Sequence, residues 1–320
     1  MVAPHNHIRD CLQSGAIVPF LGAFASQRPD RTHAWRLNPS TPMTTNPPTE
    51  VPTSRELMEY LADQSGIASV PLPAPACSTA RCPLNSPYGL PDIAEYYERQ
   101  IGRVPLERDL HAIFTSSFTM QRLHTYLATL PNNLLIVTTN YDDLLEQAFL
   151  AQGREYDVII HPLQPGMKTI VKPFGQPASE KLPKDVQIDL ATRSVIYKLH
   201  GSPSIDGVSK DRYLITEEDF LHYLTGMSSK QWLPHMVTEH CLNTPFLFLG
   251  FGLQDINVRL WLHQLRLKRL VGGSSSPLQS WAVLGPSPSS AVEETITRKI
   301  WEFRHVTLLY ETIEDFLNAV

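Results

Sequence analysis

Residues 134–143 read Leu-Leu-Ile-Val-Thr-Thr-Asn-Tyr-Asp-Asp. Four apolar residues, two of them β-branched, close on a polar turn, and a helical pattern from Asp142 to Phe149 follows. A short apolar run bounded by turn residues reads as a buried strand. The same order recurs along the chain. Ala16–Leu21 runs into Gly22-Ala-Phe-Ala-Ser26, and Ser194–Leu199 runs into His200-Gly201-Ser202. Phe246–Leu249 runs into Gly250-Phe-Gly-Leu-Gln-Asp255. Further strands are expected at 156–160, 280–284 and 305–309. Strands alternating with helices predict an α/β fold: a Rossmann-like parallel sheet with helices on both faces.

Working outward, the stretch between the first two strands is different. Residues 27–53 are Pro-rich and lack apolar periodicity, as do 69–91. Loops longer than about 15 residues in compact domains are usually functional or disordered. Between and after them the pattern is helical. Ser54 is expected to cap a helix carrying Leu57, Met58 and Leu61. Asp92, with Glu95 three residues on, is expected to cap another carrying Ile93, Tyr96, Tyr97 and Ile101. Later, Thr216, Asp255 and Thr312 are expected helix caps, with a loop from about 161 to 190. The chain is therefore expected to be one domain over 1–320. Its core would comprise about 8–26 and 131–320, with a helical, Pro-rich insertion at about 27–130.

Composition excludes several classes. The chain has 320 residues, 42% hydrophobic and 18% charged, which is ordinary globular usage. A net charge of −5 argues against a general nucleic-acid binder, which needs a basic face. No apolar run reaches the roughly 18–20 residues of a membrane span, and the N-terminus lacks a signal-peptide pattern. A cytoplasmic location is expected. The four cysteines, Cys11, Cys77, Cys82 and Cys241, are scattered. The pair Cys77/Cys82 has no second pair to complete a structural zinc site, so no metal is expected.

Ligands of open parallel sheets bind outside the carboxyl ends of the strands. Those ends carry small residues at Gly22, Gly250 and Gly252, and side chains suited to catalysis at Asn140 and His200. Each has a plainer reading. Glycine can simply turn the chain, Asn140 can cap a helix, and Asp142 and Asp143 suit a helix start on dipole grounds. His200 can be a satisfied core histidine. Their convergence at strand ends favours a ligand site.

The set Gly22-Ala-Phe-Ala-Ser26, Thr138-Thr-Asn-Tyr-Asp142, His200-Gly201 and Gly250–Asp255 resembles the sirtuin family. It is most similar to the sirtuin-like domains of bacterial antiphage defence systems. Thr138, Asn140 and Asp142 match the family's Thr-x-Asn-x-Asp motif, and His200-Gly201 matches its catalytic His-Gly. Three features depart from it. Phe24 stands where the first motif usually has glycine, the zinc module of protein deacylases is absent, and residues 27–53 lack the usual continuation.

The resemblance implies NAD as ligand and substrate. Asn140, with a donor and an acceptor on one amide, would hold a ribose hydroxyl or the attacking water. His200 would accept a proton near neutral pH, and Asp142 would orient Asn140 or a substrate hydroxyl. Gly22, Ala23, Phe24, Ser26 and Thr139 would form the nucleotide cradle, with Gly250, Gly252 and Asp255 on the adenosine side. The expected activity is hydrolysis of NAD to nicotinamide and ADP-ribose, depleting NAD in antiphage defence. Such an enzyme must be restrained until triggered. Phe24 and residues 27–53 are candidate restraints, a homo-oligomer and a separate sensor or ATPase are implied partners, and neither nucleic acid nor membrane is expected. The alternative is a catalytically silent nucleotide-binding or assembly subunit with the same fold.

Overall fold

The computed structural model describes residues 4–28, 49–67, 88–203, 205, 212–227, 233–251, 256–271, 278–286 and 290–320, excepting the side chains at 227, 256–257 and 268–271. Its strands are β1 (Val18–Leu21), β2 (Leu135–Thr138), β3 (Tyr156–Ile160), β4 (Thr169–Lys172), β5 (Ser179–Lys181), β6 (Ser194–Lys198), β7 (Gly201–Ser202), β8 (Arg212–Tyr213), β9 (Phe246–Leu249), β10 (Ser280–Val283) and β11 (Val306–Leu309). Nine form one sheet in the order β11-β10-β9-β1-β2-β6-β3-β4-β5, and β7 and β8 form a small ribbon. Neighbours from β11 to β3 are parallel, while the β3–β4 and β4–β5 pairs are antiparallel. The expected sheet is thus Rossmann-like, with an antiparallel edge where a loop was expected.

The strands alternate strictly between two cores. Val18, Phe20, Leu135, Val137, Val195, Tyr197, Phe246 and Phe248 face one side. Helices α7 (Glu217–Met227), α8 (His235–Asn243) and α9 (Ile256–Val271) cover that side, through Tyr223, Val237, Cys241, Val258, Trp261 and Leu265. Ile17, Leu21, Ile136, Ile196, Leu247 and Leu249 face the other. There α1 (His5–Ser14), α5 (Arg122–Thr129), α6 (Leu144–Ala151) and α11 (Ile313–Ala319) supply Ile8, Leu12, Leu123, Leu127, Phe149 and Phe316. Each such side chain contributes about 1.5–3 kcal/mol on burial, so the two-sided sheet is the stable skeleton. In α9 it is Val258, Trp261 and Leu265 that turn inward, while Leu267 is exposed.

Between β1 and β2 lie α2 (Ser54–Gln64), α3 (Leu90–Ile101), α4 (Arg103–Phe114) and α5. The first three bury Leu57, Leu61, Tyr97, Leu110 and Ile113 in a third core that also takes Leu144 and Tyr213. Two caps differ from expectation. Thr53, not Ser54, caps α2, in a capping box with Glu56. Helix α3 starts at Leu90, so Asp92 is its third residue and its carboxylate accepts from the Gly89 N–H at 2.6 Å. The Thr216–Asp219 and Thr312–Asp315 caps form as expected, and Asp255 lies outside the described residues. Helix α10 (Ala291–Glu302) completes the chain's helices among the described residues.

Candidate functional site

The register fixes one level across the sheet. Leu249 pairs with Leu21, Leu21 with Thr138, and Thr138 with Lys198. Adjacent strands lie about 4.8 Å apart, so Gly250, Gly22, Thr139 and Leu199 form the next row out. Chain order reverses on either side of β1, since β2 lies on one side and β9 on the other. This is the topological switch point at which such sheets bind ligands. The four sequence motifs therefore start from one sheet edge.

After β1 the chain makes a single 3₁₀ turn, Ala23–Ser26. The turn packs directly onto the turn after β9. A Cβ on Gly250 (φ +65°) would lie 2.1 Å from the Ala25 nitrogen, and one on Gly22 would lie 2.6 Å from the Gly250 carbonyl oxygen. Both glycines are thus demanded by contact between the two turns. Hydrogen bonds from Gly22 N–H to Leu249 O and from Phe24 N–H to Gly250 O, both 3.0 Å, lock the pair. Phe24 has no positive φ, because His305 is the sole non-glycine with one among the described residues. The phenylalanine costs no backbone strain there, and its ring is exposed.

Asn140 ties β2 to this turn. Its Nδ2 donates to Gly22 O at 3.1 Å and to Ser26 Oγ at 3.0 Å. A carbonyl can only accept, so the nitrogen must be the atom on that side. The acceptor Oδ1 is left without a partner among the described residues. Ser26, buried, also lies 3.5 Å from His124 Nε2. The Gln121 N–H donates to His124 Nδ1 at 3.3 Å, which places the ring proton on Nε2. Ser26 Oγ then accepts twice and keeps its own proton to donate. Burial holds His124 below its usual range, and the Asp142 charge works in the opposite direction. His124 stood in the helical pattern with no motif around it, so sequence reasoning missed it.

Thr139 directs its N–H and hydroxyl to Leu21 O, at 3.1 and 3.5 Å. Asp142 is buried. Its Oδ1 accepts from Leu144 N–H at 3.2 Å, a capping contact, and its Oδ2 has no partner among the described residues. It makes no hydrogen bond to Asn140. Beneath it, the buried Lys198 ammonium donates to Asp142 O at 2.7 Å and pairs with Glu146 Oε1 at 2.8 Å. This pair, too, was not singled out from sequence, although a lysine inside an apolar strand is a visible signal.

His200 lies two residues past the end of β6, against α7. Its ring meets Phe220 at 6.1 Å and Tyr223 at 6.4 Å, edge to face, and its carbonyl accepts from Leu214 N–H. Gly201 (φ +92°) follows because a Cβ there would lie 2.1 Å from Arg212 O across the β7–β8 ribbon. His161, next to Tyr197 OH at 2.5 Å, is held well below its usual range by burial first and by the His200 charge second. Gly252 and Asp255 lie outside the described residues.

Among the described residues no group of three His, Cys, Asp or Glu side chains could hold a metal ion, and no helix is long and apolar enough to cross a membrane. The pattern of the SIR2-like domain family matches residues 134–309, more than half of the chain. The chain is also similar to the NAD(+) hydrolase ThsA of Acinetobacter baumannii (strain 532279), 28% identical over 147 residues. That match covers 45% of this chain and 24% of the relative, so the chain spans about a quarter of the length of the protein it matches.

Proposed function

The chain belongs to the SIR2-like family, and on that premise we propose that it cleaves NAD between nicotinamide and ribose, yielding nicotinamide and ADP-ribose. The observation that carries the reading is Asn140. Its amide is fixed by two hydrogen bonds to the turn after β1, and its acceptor oxygen remains open at the switch point. The similarity to a NAD(+) hydrolase supports the same substrate.

The chemistry suits these groups. Nicotinamide departs as a neutral base, taking the electron pair of the N-glycosidic bond, so no general acid is required. Positive charge develops on the sugar. Water then forms the new bond to the anomeric carbon and loses a proton. Asn140 Oδ1 is the acceptor that positions a ribose hydroxyl or that water. His200 takes the proton, and such general-base help is typically worth about 10²–10⁴ in rate. In the cradle, the Ser26 hydroxyl and the amide of the exposed Ala23 are the donors left for a phosphate. Gly22 N–H and Phe24 N–H already serve the neighbouring turn. Asp142 supports the loop from beneath.

In this reading the protein depletes NAD in antiphage defence and is restrained until an assembly partner or sensor releases it. The exposed Phe24 ring is the restraint, and Phe24→Gly raises NAD affinity or turnover. If both are unchanged, Phe24 has no such role. The exposed ring also favours a second reading, a nucleotide-binding subunit without turnover.

The test is nicotinamide release from NAD by the purified chain over a range of protein concentrations, with Asn140→Ala and His200→Ala beside it. Turnover lost in both variants with the fold retained is the expected result. Turnover that survives in His200→Ala refutes its role. NAD-dependent stabilisation without turnover at any concentration leaves the binding subunit or an enzyme still held by its restraint, and turnover by Phe24→Gly selects the enzyme.

A further inference from the structure

A cavity lies beside the candidate site. It has a volume of about 430 Å³, within the range of small-molecule sites. Its walls come from α4, α6, β3, the β4 turn and the segment after β6. None of Gly22, Ser26, Asn140, Asp142 or His200 lines it. The two spaces share a wall, because Tyr141 and Asp143 face the cavity while Asn140 turns to Ser26.

The lining has a consistent chemistry. Four rings contribute: Phe114 packs edge-on against Tyr141 at 5.0 Å, and Tyr156 against Phe174 at 5.9 Å. Two carboxylates, Asp143 and Glu146, sit among them. Glu146 Oε1 is held by Lys198, but Oε2 is buried with no hydrogen-bond partner among the described residues. Asp143 Oδ1 accepts from Gln147 Nε2 at 2.6 Å, which leaves Oδ2 open. The negative charge is felt locally: the Tyr156 hydroxyl is pushed up first by burial and then by Glu146 and Asp143.

Two lysines also line the cavity, and the buried one, Lys198, offers it no donor. The three hydrogens of Lys198 are taken by Asp142 O, Glu146 Oε1 and, at 3.4 Å, Ser202 Oγ. Lys172 gives one of its three hydrogens to Gln176 O at 2.6 Å, in an exposed contact. Beside the rings, Glu146 Oε2 and Asp143 Oδ2 are thus acceptors without a donor among the described residues, and aromatic faces attract cations. We propose that this cavity is a second ligand site, separate from the nucleotide crevice, and that it takes a small organic cation: an ammonium or guanidinium group on an apolar or aromatic body. An anion of the same shape meets the two carboxylates beside the rings. The proposal does not depend on NAD cleavage.

The test compares three probes of one shape, benzylammonium, benzyl alcohol and benzoate, by calorimetry and ligand-observed NMR on the full chain. Benzylammonium is expected to bind at millimolar concentration and benzoate not to bind. Asp143→Asn removes the open carboxylate at an exposed position and is expected to weaken benzylammonium about tenfold. Leu150→Trp, at the exposed rim, is expected to block entry. Weakening in either variant with the fold retained supports the site. Benzoate binding as tightly as benzylammonium, no binding of benzylammonium, or an affinity unchanged in both variants overturns it.

Discussion

Asn140 Nδ2 lies 3.0 Å from Ser26 Oγ, so a side chain at the end of β2 is held by the turn that follows β1. The two residues are 114 positions apart in sequence. Their contact is what turns the carboxamide oxygen outward.

Ser26→Ala removes that hold while leaving the bond to Gly22 O. The expected loss in stability is about 1–3 kcal/mol, because the buried His124 Nε2–H loses its acceptor as well. With one anchor gone the amide can rotate, so nicotinamide release is expected to fall about tenfold, with the chain still folded in the assay and only a modest drop in the urea midpoint. Asn140→Asp is more severe, because a carboxylate would face the Gly22 carbonyl. Activity is expected to vanish there while Asn140→Ala still folds. Urea unfolding beside a nicotinamide-release assay checks both. A Ser26→Ala enzyme with unchanged turnover would show that the Ser26 contact does not position Asn140.

Gly250 offers a contrast between packing and ligand binding. Its φ is +65°, and a Cβ would meet Ala25 N at 2.1 Å. Gly250→Ala is expected to destabilise by about 2–5 kcal/mol, combining left-handed strain with overpacking. The loss should be measurable without any nucleotide present. Gly175→Ala is the control: its φ is +68°, but nothing lies within 4 Å of the added Cβ. It is expected to cost only the strain, about 1–2 kcal/mol. Thermal unfolding of the two variants would separate these effects, and equal losses would remove the packing argument.

Acid should weaken the fold through its buried histidines. His124 and His161 both sit below the ordinary value of 6.5, chiefly through burial. The unfolded chain takes up protons as pH falls through 6.5, and the folded chain does not. Their contribution is therefore complete above pH 6.5 and is lost as pH falls from there toward the folded values. Each histidine adds a slope of about 1.4 kcal/mol per pH unit in that window. His124→Gln keeps a donor for Ser26 and is expected to remove one proton's share of the slope. Urea unfolding from pH 7.5 to 5.5 checks this, and an unaltered slope in the variant would contradict it.

The strands and the residues just beyond them were legible because burial on both faces writes continuous apolar runs closed by glycine or polar residues. The Thr216–Asp219 and Thr312–Asp315 caps were legible because hydroxyl and carboxylate stand three apart. Other features were not. At Thr53-Ser54 two adjacent hydroxyls compete for one cap, and only the backbone decides. Strands β4 and β5 form an antiparallel edge, and Ser179-Glu180-Lys181 shows no apolar face because that edge meets solvent. Helix α8 carries little periodicity, and α10, in which Val292, Ile296 and Ile300 do recur every four residues, leaves them exposed and buries Trp301. The glycines were read as room for a ligand, whereas the space beside Gly22 and Gly250 is filled by the opposing turn. The link from His124 to Ser26 arises only when α5 packs on the sheet, so no local spacing could announce it.

The buried Lys198–Glu146 pair gives a prediction whose sign depends on pH. Lys198 is 1% exposed, and its partner's Oε2 has no other donor. Lys198→Met leaves Glu146 charged and uncompensated, and removing one partner of a buried pair costs about 3–5 kcal/mol. Burial already raises the Glu146 carboxyl above its ordinary 4.5, while Lys198 opposes the rise. Without the lysine the rise must grow. A carboxyl raised in the folded state destabilises at pH above its folded value and ceases to do so as pH falls toward 4.5. Lys198→Met should therefore recover stability, relative to the parent, when pH is lowered from 7 toward 5. Adding Glu146→Leu to Lys198→Met should recover stability at pH 7 and abolish that pH response. Urea midpoints of the two variants and the parent at both pH values measure this. A single variant whose deficit is equal at pH 7 and pH 5 would mean that water, not Lys198, compensates Glu146.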